Sequence, residues 1–139
     1  MIEFETPAVD TNLPKVLEFI DELLEKAECP MRIKVQIDIA VEEIFVNIAH
    51  YAYKEGEQGT AMVRVAVCED PPMMDITFID NGVPYDPLAK ADPDVTLAAK
   101  DRKIGGLGIF MTKKNMDDIK YEYHDGHNIL TLKKGLVTG

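Results

Sequence analysis

A two-layer α/β (α+β) sandwich, with helices on one face of a mixed, largely antiparallel sheet, is the fold this sequence predicts. Three features carry that expectation. Two long stretches place apolar residues at helical spacing, two pairs of apolar runs are joined by turn formers, and a short alternating segment opens the chain. No internal repeat or linker-like stretch divides the 139 residues, so a single domain over 1–139 is expected.

Ile2 and Phe4 alternate with Glu3 and Glu5, which predicts a half-buried strand over 2–6. Thr11 or Asn12 then offers a helix N-cap, and Pro14 sits where a first turn tolerates it. Leu13, Val16, Leu17, Ile20, Leu23 and Leu24 recur at three and four, giving an amphipathic helix over 13–27. Cys29-Pro30 ends it, because proline disfavours helix in the residue before it. A second helix is expected from Arg32 to about Tyr53, striped by Ile33, Ile37, Val41, Ile44, Ile48 and Ala52. Ile39, Ala40, Val46 and Ala49 widen the stripe and predict burial on more than one side. The β-branched content also suits a strand, but so long a run without a turn signal favours helix. Residues 55–59 form a turn.

Residues 60–68 and 73–79 read as two strands of an antiparallel hairpin, joined by Glu69-Asp70-Pro71-Pro72. The segment Asp80 to Pro87 is dense in turn formers. Residues 88–104 are weakly patterned and read as a loop, followed by a helix over 109–117. Strands near 119–124 and 128–134 close the chain through the hairpin turn His124-Asp125-Gly126-His127.

Lys+Arg total 15 against 25 Asp+Glu, a net charge of −10. That balance opposes direct nucleic-acid binding, which needs a basic surface. It is compatible with a nucleotide carried with Mg²⁺ or with a partner bearing basic patches. Cys29 and Cys68 are too few for a disulfide framework and lack metal-site spacing. No apolar run approaches the ~18 residues of a membrane span, and the N-terminus lacks signal-peptide character. A cytoplasmic protein without membrane attachment is expected.

Glu43 and Asn47 lie four apart and so share a face of the most apolar helix. A carboxylate there can serve as general base, and an amide oxygen can ligate a hard cation such as Mg²⁺. Equally, they can belong to a solvent-facing stripe with Glu42 and His50. Asp80 ends a strand before Asn81-Gly82. Its carboxylate can accept from the exocyclic amine of adenine, or it can close an Asx-type turn. Lys100, Arg102 and Lys103 can reach phosphates from a closing loop, or form a solvated basic patch. Gly105, Gly106 and Gly108 precede an apolar helical run. Such a turn presents free N–H groups to a phosphate, although a flexible connection has the same composition.

The order of these features resembles the GHKL (Bergerat-fold) ATPase superfamily of histidine kinase-like ATPase domains. Its members carry an N box, a G1 box, an ATP lid and a G2 box. Within it the wording is most similar to the RsbW-like anti-sigma-factor serine kinases. Glu43-Ile44-Phe45-Val46-Asn47-Ile48-Ala49-His50-Tyr51-Ala52-Tyr53 resembles their N box. Asp80-Asn81-Gly82-Val83-Pro84-Tyr85-Asp86-Pro87 resembles the G1 box, and Gly105 to Met111, ahead of Asn115-Met116-Asp117, the G2 box. The resemblance covers nearly the whole chain. Pro84 stands where many superfamily members have a second glycine. It is common in the anti-sigma branch and argues against the gyrase and mismatch-repair branches.

The resemblance implies ATP and Mg²⁺ as cofactors, with Asn47 as the metal ligand. Asp80 would hold adenine, and Gly82 would let the base approach. Gly105, Gly106, Leu107 and Gly108 would wrap the phosphates, with Arg102 and Lys103 reaching them from a lid over 88–104. Glu43 would be the catalytic base that activates the attacking hydroxyl. The implied activity is a protein serine/threonine kinase acting in transcription regulation. It would sequester a sigma factor, phosphorylate a STAS-domain anti-sigma antagonist and form a homodimer. The alternatives are a nucleotide-binding regulatory module acting by protein–protein interaction alone, and an interaction domain without nucleotide.

Overall fold

Alternation decides which side of each strand meets the helices. In the computed structural model, which describes residues 1–54, 56–89 and 107–137, Ala61, Val63 and Val65 point to the same buried face as Met74, Ile76 and Phe78 and as Leu130 and Leu132. The elements are β1 (Ile2–Pro7), α1 (Leu13–Lys26), α2 (Met31–Tyr51), β2 (Thr60–Glu69), β3 (Pro72–Asp80), α3 (Leu107–Asn115), β4 (Asp118–His124) and β5 (His127–Gly135). The strands pair in the order β1-β2-β3-β5-β4. Each neighbouring pair is antiparallel, so the sheet is uniformly antiparallel among the described residues rather than mixed.

Val16, Ile20 and Leu24 of α1 and Ile37, Val41, Ile44 and Phe45 of α2 complete the core against that face. The outer face is mixed, with Met62, Ile79 and Ile129 half-buried side by side on it. One cross-strand row there reads Glu3, Arg64, Thr77, Thr131, Lys120, with Arg64 donating to Glu3 and the two threonine hydroxyls 3.2 Å apart. Helices cover only the fully buried face, which makes a two-layer sandwich. No helix among the described residues is long and apolar enough to cross a membrane.

Four local expectations are corrected. Asn12 occupies the N-cap position of α1, but its amide donates to Pro7 O at 3.2 Å and makes no cap bond. The third helix covers Leu107–Asn115, not 109–117. It stops early because Asp117 belongs to the sheet, its N–H donating to Lys133 O and its carboxylate accepting from Gly135 N–H. Its first described residue is Leu107, and Gly108 lies against Glu43. Burial of α2 is also narrower than its sequence suggests, since Ile39 is 47% exposed.

Between α1 and α2 lies a charged cluster. Lys34 Nζ is 3.0 Å from Asp38 Oδ2 and 3.5 Å from Asp21 Oδ2. The other oxygen of each carboxyl is buried without a hydrogen-bond partner among the described residues. Burial first, and then the neighbouring Asp21 carboxyl, raises Asp38 from an ordinary 3.8 to about 6. An acid with a raised folded pKa contributes stability that is fully present below 3.8 and lost as pH rises through about 6. Melting temperatures followed across that window should therefore fall with rising pH, and Asp38→Asn should flatten the slope. Equal slopes in the two proteins would exclude Asp38 as the titrating group.

Candidate functional site

A carboxylate at the end of an inward-facing series is the centre of the site. Met74, Ile76 and Phe78 point into the core, and two residues on Asp80 takes the same side, leaving it 5% exposed. Its Oδ1 accepts from Gly82 N–H at 2.8 Å and from Asn128 Nδ2 at 2.9 Å. Burial raises the Asp80 pKa, and these two hydrogen bonds oppose the rise. The Asx-type turn is thus present, made by Oδ1. Among the described residues Oδ2 has no such donor and is the oxygen open to a ligand.

Asp80 lines a cleft of about 410 Å³, a volume that includes space open to solvent. Ile44, Ile48, Phe78 and Leu130 give it apolar walls, and Asn47 and Asn128 give it polar points. Few polar groups among apolar walls suit a flat, partly polar ring.

Asn47 connects this cleft to a second one. Its Nδ2 donates to Glu43 Oε1 at 3.3 Å, which leaves its own Oδ1 as an acceptor. Glu43 and Asn47 are half-buried whereas Glu42 and His50 are exposed, so the pair is more enclosed than its neighbours, although Glu42 lines the second cleft as well. Glu43 lines the second cleft with Ile39, Val46, Gly108 and Met111. A Cβ on Gly108 would lie 2.1 Å from the Glu43 carboxyl carbon. This glycine leaves room for the carboxylate beside α3, whose first turn is favourable ground for it. Thr112 Oγ1 donates back to Gly108 O at 2.9 Å.

Gly82 is constrained by backbone just after the C-terminus of α2. Its added Cβ would sit 2.1 Å from Ala52 O, and the neighbouring Val83 N–H donates to that carbonyl at 2.8 Å. Ala52 in turn lines the Asp80 cleft. Tyr53 ties the loop further, donating to Thr60 O at 2.6 Å and accepting from Asn81 N–H at 3.0 Å.

Of the residues named from the sequence, Asn47 and Asp80 share one cleft, Glu43 and Gly108 share the next, and Gly82 abuts Ala52. Leu107 is the first residue of α3. Gly105, Gly106, Arg102 and Lys103, with the lid expected over 88–104 beyond Ala89, lie outside the described residues. Sequence reasoning missed Asn128, Tyr85 and Tyr121, all of which line the Asp80 cleft. One signal was available for Asn128, a polar residue at an inward position of the series continued by Leu130 and Leu132.

Residues 6–134 match the family model of the histidine kinase-like ATPase domain. The chain is 32% identical over 101 residues to the serine-protein kinase RsbW of Listeria monocytogenes, covering 70% of this chain and 63% of that protein. It is 23% identical over 128 residues to the serine/threonine-protein kinase BtrW of Bordetella bronchiseptica, covering 92% and 89% of the two. The RsbW relatives are thus matched over less than two thirds of their own length. Among solved structures, part of the chain holding the RsbU and RsbW domains of Rv1364c from Mycobacterium tuberculosis shares the fold, with a TM-score of 0.65 at 14% identity. That match covers 98% of this chain and 33% of the other. The chain belongs to the histidine kinase-like ATPase domain family and is similar within it to the RsbW serine-protein kinases.

Proposed function

We propose that the chain is a single-domain anti-sigma factor with serine kinase activity, which phosphorylates a STAS-domain anti-sigma antagonist. The observation that carries the nucleotide half of this reading is the cleft itself. It sets a buried carboxylate with one open oxygen in apolar walls, beside an asparagine whose amide oxygen is unspent. That donor set fits an adenine nucleotide with Mg²⁺. Asp80 Oδ2 would accept from the exocyclic amine. Asn47 Oδ1 would be the protein's ligand to the cation, which typically binds through one or two side chains plus phosphates. Among the described residues, no group of three or more His, Cys, Asp or Glu is placed to hold a metal alone.

When bound, Mg²⁺-ATP supplies the phosphoryl group and part of the charge neutralisation. The chain's own contribution is positioning and proton removal. Glu43 is held against Gly108 and by Asn47, one helical turn from the metal ligand, where it can accept the proton of an incoming hydroxyl. A protein rather than water as acceptor is supported by exposed apolar residues beside it. Met31, Val35 and Ile39 run along one face of α2, and Ile39 and Met111 line the cleft of Glu43. Exposed apolar patches of this kind mark protein contacts.

Mg²⁺-ATP or ADP at a hundredfold excess over Kd should stabilise the protein by about 2.7 kcal/mol, seen as a rise in melting temperature. Asp80→Asn should abolish the rise, because an amide presents a donor where the amine needs an acceptor. No shift with either nucleotide would exclude a nucleotide site. Labelled ATP incubated with a candidate STAS-domain protein then separates a kinase from a module that only binds. Phosphoserine on the antagonist is expected, and binding without transfer would establish the module instead.

A further inference from the structure

The Asn128 side chain is 6% exposed and sits directly opposite Asp80 in the β3–β5 register. Its amide has two donors and two acceptor positions, and the structure uses all of them. Nδ2 donates to Asp80 Oδ1 at 2.9 Å and to Val83 O at 2.8 Å. Oδ1 accepts from Tyr85 N–H at 3.2 Å and from the Tyr121 hydroxyl. The Tyr85 N–H also lies 3.3 Å from that hydroxyl.

Two of these partners are backbone groups two residues apart, Val83 O and Tyr85 N. One side-chain amide therefore grips the loop after β3 as a neighbouring strand would. The same amide supplies one of the two donors that occupy Asp80 Oδ1, so the carboxylate cannot rotate without breaking that bond. Tyr85 and Pro87, at the far end of the gripped loop, line the cleft with Asp80.

We propose that Asn128, braced by the Tyr121 hydroxyl, is a positioning residue that locks Asp80 and the 82–85 loop together, so that Oδ2 alone faces the nucleotide base. The proposal rests on the nucleotide reading above for its ligand, but its geometry is a property of the free protein. Asn128 does not touch the base; it acts through Asp80 and the loop. An acceptor fixed before binding costs no ordering when the ligand arrives.

Asn128→Asp is the informative substitution. It keeps the shape and both acceptor positions, removes the two donors, and sets a second carboxylate against Asp80. At pH 8, ATP affinity should fall about 10- to 100-fold, the scale of a lost hydrogen bond to a charged group. Lowering the pH toward 6 should restore part of it, because a proton shared between the carboxyls replaces the missing donor. The titrating groups near the pair are His127 on the same strand, Tyr53 after α2, and Tyr121 on β4 with Asp86 beside it. A histidine ordinarily titrates in this window, so the parent and a His127→Gln background serve as references.

A loss that does not vary with pH, or affinity within twofold of the parent at pH 8, would overturn the proposal. The ligand-free readout is the carboxyl titration of Asp80 by NMR, with amide exchange at Tyr85. Asn128→Leu should raise the Asp80 titration and speed Tyr85 exchange; unchanged values would also overturn it. If the parent binds no nucleotide, these two measurements still decide whether Asn128 positions Asp80, and only the nucleotide reading falls.

Discussion

Glu43→Gln should slow phosphoryl transfer by about 10²- to 10⁴-fold, the usual contribution of a general base, while Mg²⁺-ATP still raises the melting temperature. Glutamine keeps the length and shape that pack against Gly108 and can still accept from Asn47 Nδ2. It cannot take up a proton, so on the proposed reading only the chemical step should suffer. Alanine would be a poorer test, because it empties the space beside Gly108 and removes the partner of Asn47. The measurement is single-turnover phosphoserine formation beside a thermal shift with nucleotide. Transfer at the parent rate would remove Glu43 from the role of base. Loss of the thermal shift together with transfer would mean that Glu43 chiefly builds the site.

How far the sequence reaches is clear from individual residues. The hairpin around Asp125-Gly126 was legible because both residues take positive φ, +51° and +79°, and this dipeptide favours such turns. The β2–β3 pair was legible from its period of two, and α2 from its length. Asp80 could be named because an acid before Asn-Gly at a strand end is a local pattern. Asn128 shows in sequence only as a polar residue at an inward position, because its role depends on register, which sets residue 128 opposite residue 80 across β3 and β5. Local patterns say that two strands pair, not which residues face each other. The same limit applies to Gly82 and Gly108. Sequence marks them as glycines beside a ligand, whereas the described structure shows what each is pressed against, Ala52 just after α2 and Glu43 in its middle.

Those two glycines should respond to the same substitution in opposite ways. At Gly82 an alanine Cβ would meet the Ala52 carbonyl oxygen at 2.1 Å and the Ala52 Cβ at 2.5 Å. Neither atom can swing aside, because the carbonyl accepts from Val83 N–H and Ala52 is buried. Overpacking against fixed atoms costs about 1–3 kcal/mol or more. Gly82→Ala should therefore lower the urea midpoint and weaken nucleotide binding together, since the displaced loop carries Tyr85 into the cleft. At Gly108 the Cβ would meet only the Glu43 carboxyl group, the far end of a flexible side chain. Glu43 can turn away, and alanine is favoured over glycine within a helix by roughly 0.5–1 kcal/mol. Gly108→Ala should leave stability unchanged or slightly higher, yet reduce transfer nearly as far as Glu43→Gln, because the carboxylate has left its place. A Gly108→Ala protein that unfolds in less urea would show that Glu43 is held there rigidly. One that keeps full transfer would show that its packed position is not the one from which it acts.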